Sequence, residues 1–374
     1  MTASTSSRAS SCASSIVERF APTLVAWQRV HGRHGLPWQQ LGTGRDAYSV
    51  WVAEIMLQQT QVAAVIPFYR HFLERFPDVA TLAEATPDEV MACWSGLGYY
   101  SRARNLHAAA RRIVSQFGGV IPDDPDALES LPGVGRSTAA AIAVFAFGCR
   151  AAILDGNVKR VLARVFAIEG VPSNNATVRR MWALAEALLP ARGAGQAMEQ
   201  EHYAQGLMDL GATVCTPRNP ACTSCPFEPD CLAYRQGRVA ELPHRAPRKP
   251  LPERRVAMLL ITRGNEVLLE RRAPTGVWGG LWSLPEAEPF EDPEEFRTRV
   301  ERFGEVITIE SRTGFTHGFT HFVLQAQVVH ACIREPLHEK RLATAVDSMR
   351  WVNRTDALAL GLPAPVRTLM GARA

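Results

Sequence analysis

The segment Leu131-Pro132-Gly133-Val134-Gly135-Arg136-Ser137-Thr138 constrains the fold of this chain more than any other. Two glycines in three residues, entered through Leu-Pro and followed by the alanine-rich run 139–149, predict a tight turn opening into a helix. Such a turn aims backbone N–H groups outward at the positive end of a helix dipole, an arrangement suited to a phosphate oxygen. Asp155, twenty residues beyond Gly135, falls where the next helix should begin and is read as its N-cap. An ordinary glycine turn is the alternative for this segment taken alone.

At 374 residues, 47% of them hydrophobic, the chain can build two or more domains with real cores. A net charge of +4 is compatible with nucleic acid without demanding it. Residues 1–15, rich in Ser, Ala and Thr, read as a disordered tail without the apolar stretch of a secretory signal. The longest apolar run, 139–149, is shorter than the ~20 residues a membrane span needs, so no membrane is expected. Residues 16–234 carry helical periodicity from Arg45 to Phe76, a cap at Thr86, and a short helix at Pro125-Asp126-Ala127-Leu128 before the hairpin of about 128–148. A basic, proline-rich linker is expected over 235–255, with Pro243, Pro247, Pro250 and Pro252 among Arg238, Arg245, Arg248, Lys249, Arg254 and Arg255. Beyond it, 256–374 reads as a smaller α+β domain. Its strands are Val256–Ile261 and Glu266–Leu269 around Arg263-Gly264-Asn265, then Phe322–Val329 and Met349–Val352. The expected fold is multidomain, an all-α core followed by an α+β part.

Of eight cysteines, four crowd into one loop as Cys215-x6-Cys222-x2-Cys225-x5-Cys231, and Cys12, Cys93, Cys149 and Cys332 are scattered. Clustered thiols interleaved with prolines indicate a metal centre in a reducing compartment, not a disulfide framework. Structural zinc stays open as an alternative, although only one C-x2-C knuckle is present. Glu54 sits on a helical stretch among Val50, Trp51, Leu57 and Gln58, so its carboxyl should be desolvated and its pKa raised. Asp155, as an N-cap, should be favoured as an anion. Carboxylates pushed in opposite directions supply the acid and the anion of glycosidic-bond hydrolysis.

Leu36-Pro37-Trp38, the stretch Glu54–Val62, Gly96-Leu97-Gly98-Tyr99-Tyr100-Ser101-Arg102-Ala103-Arg104-Asn105-Leu106, the hairpin, Leu154–Arg164 and the cysteine loop together resemble the MutY-type adenine DNA glycosylases of the endonuclease III superfamily. The resemblance runs in order from about Phe20 to Tyr234. It implies a helix-hairpin-helix glycosylase core whose Cys215, Cys222, Cys225 and Cys231 hold a 4Fe-4S cluster. It also implies removal of adenine opposite 8-oxoguanine or guanine in duplex DNA, after extrusion of the base, by a monomeric enzyme of the bacterial cytoplasm associated with the nucleoid. Carried onto matching positions, Glu54 protonates adenine and positions water, and Asp155 stabilises the oxocarbenium-like sugar. Tyr99 and Asn157 line the site, and Gln58 and Gln59 wedge into the base stack. Gly133, Val134, Gly135, Ser137 and Thr138 hold phosphate. Related bifunctional enzymes carry lysine at the position of Ser137; serine cannot form a Schiff base, so a monofunctional glycosylase is expected.

Gly280-Leu281-Trp282-Ser283-Leu284-Pro285-Glu286 fits the first half of a Nudix box, but Glu294-Glu295-Phe296-Arg297-Thr298-Arg299 breaks the carboxylate cluster that would hold Mg²⁺. A Nudix-like domain without hydrolase chemistry is expected. The resemblance implies that it reads the opposite base through Phe319-Thr320-His321, with Phe315-Thr316-His317 as the competing register. Three other functions compete. An endonuclease III-like glycosylase for oxidised pyrimidines is opposed by Ser137 and the extra domain. A non-catalytic DNA scaffold is opposed by Glu54 with Asp155, and a nucleotide pyrophosphatase by the broken box.

Overall fold

The computed structural model describes residues 5–39, 46–191, 196–247, 250–289, 293–334 and 348–371; Arg45, Arg248 and Lys249 lie outside them. Helices occupy the chain to residue 235. They are α1 (Thr5–His31), α2 (Ala47–Leu57), α3 (Val62–Arg75), α4 (Val79–Glu84), α5 (Pro87–Trp94), α6 (Ser101–Phe117), α7 (Pro125–Glu129), α8 (Arg136–Phe147), α9 (Gly156–Val165), α10 (Asn175–Ala187), α11 (Gln196–Asp209) and α12 (Leu232–Arg235). A π-helical turn, Leu210–Val214, extends α11.

Local sequence accounts for most of these bounds. Thr86 and Glu89 form a reciprocal capping box at the start of α5, and Asp124 caps α7 ahead of Pro125. Phe20 and Leu24, four residues apart on α1, are fully buried, and the Phe20 ring stacks on Phe227 at 4.4 Å. The helix α1 reaches back to Thr5, into the segment expected to be disordered. No Pro or Gly interrupts 1–15, and extending a helix already nucleated costs far less than starting one.

The chain divides into two compact units, Met1–Tyr69 with Asp78–Ala80 and Ala108–Pro247, and Arg70–Pro77 with Thr81–His107 and Arg248–Ala374. This grouping departs from a linear split at 235–255. Residues 81–107 belong with the C-terminal sheet because polar contacts tie them across great sequence separation. Ser95 Oγ donates to the Leu362 carbonyl at 2.7 Å, Arg367 donates to Ser95 Oγ at 3.0 Å, and Arg271 pairs with Asp88 at 2.8 Å. In the first unit, Ala139–Phe145 of α8 are all buried, and Ala140, Ala141, Val144 and Phe145 share one core with residues of α1, α9 and α11.

The second unit holds one sheet of β1 (Glu253–Arg263), β2 (Glu266–Arg271), β3 (Trp282–Ser283), β4 (Glu286–Ala287), β5 (Val306–Gly318), β6 (Val323–Ile333) and β7 (Met349–Asn353). Its main order is β3-β2-β1-β6-β5; β4 pairs with β1 and β7 with β2. β1 and β2 form the expected hairpin across Gly264-Asn265, and β1 runs parallel to β6 from Glu253↔Val323 to Thr262↔Cys332. Alternate residues Leu259, Ile261, Val329 and Ala331 face a core closed by Phe296, Val300 and Phe303 beside α13 (Arg297–Glu301). The expected linker is shorter than 235–255: α12 ends at Arg235 and β1 begins at Glu253, which places Arg254 and Arg255 on a strand. Arg238 is drawn into ion pairs with Glu169 at 2.6 Å and Glu241 at 2.9 Å.

Candidate active site

The hairpin turn forms as expected. Gly133 takes φ +78°, a conformation that penalises any side chain, and Gly135 serves as N-cap of α8. The first intrahelical donor is Ala139, whose N–H reaches the Gly135 carbonyl at 2.9 Å. The preceding amides of α8 are the groups a helix leaves for an outside acceptor. Ser137 turns inward instead. Its Oγ accepts the Leu154 N–H at 3.0 Å and ties this helix start to the segment carrying Asp155.

Asp155 caps α9, with Oδ1 accepting the Val158 N–H at 2.7 Å, and Asn157 Nδ2 donates to its Oδ2 at 3.4 Å. Its electrostatics differ from the expected anion-favouring shift. Burial raises the Asp155 pKa, outweighing the backbone hydrogen bonds, Arg160 and Asn157, which all pull it down. Glu54, half-buried on α2, is pushed up to about 8, first by burial and then by the Asp155 charge. The two carboxyls are therefore both shifted upward, not in the opposite directions expected. At pH 7 Glu54 is mostly a neutral acid.

Residues that sequence reasoning missed support this pair. Arg160 donates to Asn157 Oδ1 at 2.8 Å and to the carbonyls of Gly211 and Cys215, each at 2.7 Å. It thus fastens the start of α9 to the π-helical turn. A Cβ on Gly211 would lie 2.6 Å from Asn157 Cβ and 3.1 Å from its Cα, so this helix crossing requires glycine. Gly211→Ala should displace Asn157, which a rotamer change cannot relieve, and cost about 1–3 kcal/mol of stability. Turnover should fall at least tenfold in single-turnover assays; a variant with wild-type rate and melting temperature contradicts the packing argument. The pair Asp155 and Asn157 was visible as a motif, but Gly211 left no local signal.

The four cysteines line one cavity with Val161, Leu210, Val214 and Arg164. Burial pushes the Cys225 thiol up to about 12 and raises Cys231 and Cys222, each with a contribution from neighbouring thiols. Arg164 Nη1 lies 3.4 Å from Cys215 Sγ. Among the described residues, no group of three or more His, Cys, Asp or Glu converges on one point as a single ion requires. Four thiols lining one cavity are a donor set that a polynuclear iron cluster or a tetrahedral zinc would take.

Gln58 and Gln59 part ways. Gln58 Nε2 donates to the Gly133 carbonyl at 3.3 Å and to Thr138 Oγ1 at 3.2 Å, which braces the hairpin. Gln59 is exposed at φ +57°. Tyr99, in the second unit, is 46% exposed at φ +48°. A left-handed non-glycine residue costs on the order of 1–3 kcal/mol, and such strain gathers at ligand-facing positions.

In the second unit, Phe319-Thr320-His321 forms the tip between β5 and β6, while Phe315-Thr316-His317 lies within β5. The tip is packed by Phe319 on Phe322 at 4.6 Å and by Trp278 on Phe319 at 5.7 Å, leaving Thr320 and His321 exposed. Glu286, the carboxylate of the partial Nudix box, is held by Arg272 at 2.9 Å and Arg254 at 3.7 Å. Its charge is already matched by arginines, and Glu294 is taken by Arg297.

Residues 52–187 match the HhH-GPD superfamily of base excision DNA repair proteins, and residues 256–372 match the NUDIX domain. The adenine DNA glycosylase of Buchnera aphidicola subsp. Acyrthosiphon pisum is 32% identical over 352 residues, spanning 94% of this chain and 96% of its own. That of Mus musculus is 34% identical over 401 residues, spanning 90% and 74%. Among solved structures, a thermostable thymine-DNA glycosylase matches with a TM-score of 0.53 at 30% identity, over 60% of this chain and 99% of its own.

Proposed function

From the premise that the chain belongs to the adenine DNA glycosylase family, we propose that it removes adenine mispaired with 8-oxoguanine or guanine by a monofunctional mechanism. Its activity on adenine in base-excision repair, with DNA as its partner, follows from the family itself. The observation that supports the glycosylase chemistry is the carboxyl pair: burial, and then the Asp155 charge, raise the Glu54 pKa to about 8, and Asp155 is fixed at the start of α9 by the Val158 N–H.

The target adenine must leave the stack before its glycosidic bond is reachable. Glu54, neutral at physiological pH, gives its proton to the base and so improves the leaving group. As the C–N bond lengthens, positive charge grows on the sugar, and the Asp155 carboxylate opposes it from a position fixed by Val158 and Asn157. Glu54, now an anion, draws the proton from the attacking water. Ser137 offers no amine, so the strand should stay intact until alkali is added. Cys215, Cys222, Cys225 and Cys231 would hold a 4Fe-4S cluster whose chemistry here is to staple the loop they share.

The test is an end-labelled duplex with adenine opposite 8-oxoguanine. Strand breaks should appear only after alkali, and borohydride should trap no adduct. Breakage coupled to excision without alkali contradicts the monofunctional reading. Opposite-base reading is assigned to the exposed Thr320 and His321 at the β5–β6 tip. Alanine at both should lower the preference for 8-oxoguanine over guanine by about 1–3 kcal/mol, measured as the ratio of single-turnover rates on the two duplexes. An unchanged ratio removes the loop from recognition.

A further inference from the structure

We propose that Arg102 is the positioning residue that presents Tyr99 to DNA. The inference rests on the reading above that Tyr99 faces the substrate. Arg102 is 6% exposed, an unusual place for an arginine beside a tyrosine that is 46% exposed. It grips two successive carbonyls: its backbone N–H reaches the Tyr99 carbonyl at 2.9 Å, and its Nη2 reaches the Gly98 carbonyl at 3.2 Å. The Gly98 carbonyl receives a second donor, the Trp94 indole N–H, at 3.1 Å.

The guanidinium lies 5.4 Å from the centroid of the Trp94 ring and 5.4 Å from that of Tyr99. Such contacts attract a cation to the face of each ring. Gly96, Gly98 and Tyr99 all have positive φ, at +105°, +77° and +48°. A tight loop of this kind would relax if unsupported, because the tyrosine gains nothing locally from its left-handed backbone. Arg102 and Trp94 together hold the carbonyl preceding Tyr99, and Arg102 supports the ring from its buried side. The tyrosine is displayed in advance, so its ordering cost is not charged against DNA binding.

A double-mutant cycle on the full chain tests this. The probe is a duplex with adenine opposite 8-oxoguanine, made uncleavable by fluorine at the 2′ position of the target sugar. Arg102→Lys keeps the charge but loses the planar fork. It should weaken binding about 5–30-fold in the wild-type background and less than twofold in the Tyr99→Ala background, because both substitutions remove one interaction.

Gly98→Ala is the second variant. Its Cβ would meet nothing within 4 Å, so it perturbs the loop only through the +77° φ and not through packing. It should show the same background dependence with its melting temperature kept within a few degrees. Equal losses in both backgrounds, for either variant, overturn the positioning role and leave Tyr99 itself a DNA contact. A Tyr99→Ala variant that binds like wild type instead overturns the reading beneath it, and the proposal with it.

Discussion

Asp155→Asn should bind mispaired duplex nearly as well as the wild type and excise adenine at least about 10³-fold more slowly, roughly 4 kcal/mol of lost barrier reduction. The substitution preserves size and the oxygen that caps α9, where Oδ1 accepts the Val158 N–H at 2.7 Å, so the helix start should survive. What disappears is the negative charge facing the cationic sugar. Glu54→Gln should be comparably inactive for a different reason, loss of the proton donor. If either variant works within tenfold of wild type, a difference of about 1.4 kcal/mol, the assigned role is wrong.

The pH dependence follows with its sign. Turnover needs Glu54 protonated, so the rate should fall as pH rises through about 8. Asp155→Asn removes one of the two causes that raise Glu54, so the Glu54 titration should move downward in that variant. The same group marks stability. A carboxyl whose folded pKa exceeds its unfolded value binds protons more tightly when folded. Its contribution is therefore greatest below the unfolded value of 4.5 and is lost as pH climbs to about 8. Comparing the slope of stability against pH for wild type and Glu54→Gln measures it directly; identical slopes would deny the shift.

Cys225→Ser should yield protein with little bound iron, no brown colour and a lower melting temperature. Cys225 lies in the cavity shared with Cys215, Cys222 and Cys231, and a metal centre bound there would close a seventeen-residue loop (215–231) much as a cross-link would. Opening such a loop costs about 3 kcal/mol, which corresponds to roughly 6–12 °C for a unit of this size. DNA binding should weaken along with it, since Arg160 joins the Cys215 carbonyl to Asn157. A colourless wild-type preparation carrying stoichiometric zinc and full activity would defeat the iron–sulfur assignment.

What was legible beforehand was local. The hairpin at Gly133–Gly135, the caps at Thr86 and Asp155, the β1–β2 turn and the helical run from 139, which ends at Phe147, depend on residues within a few positions of one another. Backbone dihedrals and capping hydrogen bonds respond to near neighbours, so the amino-acid order determined them, together with the chemistry available: two carboxyls, four clustered thiols, and no amine at Ser137. The upward shift of Asp155 was not legible, because an N-cap pattern reports the hydrogen bonds and dipole that lower a pKa but says nothing of the burial that raises it. Gly211 was invisible for the same reason, since its need for a bare Cα arises from Asn157, far along the chain. The grouping of 81–107 with the C-terminal sheet is set by contacts such as Ser95 with Leu362, 267 residues apart. Tertiary structure alone decided these features: burial, close approach and charge proximity are properties of which distant segments meet.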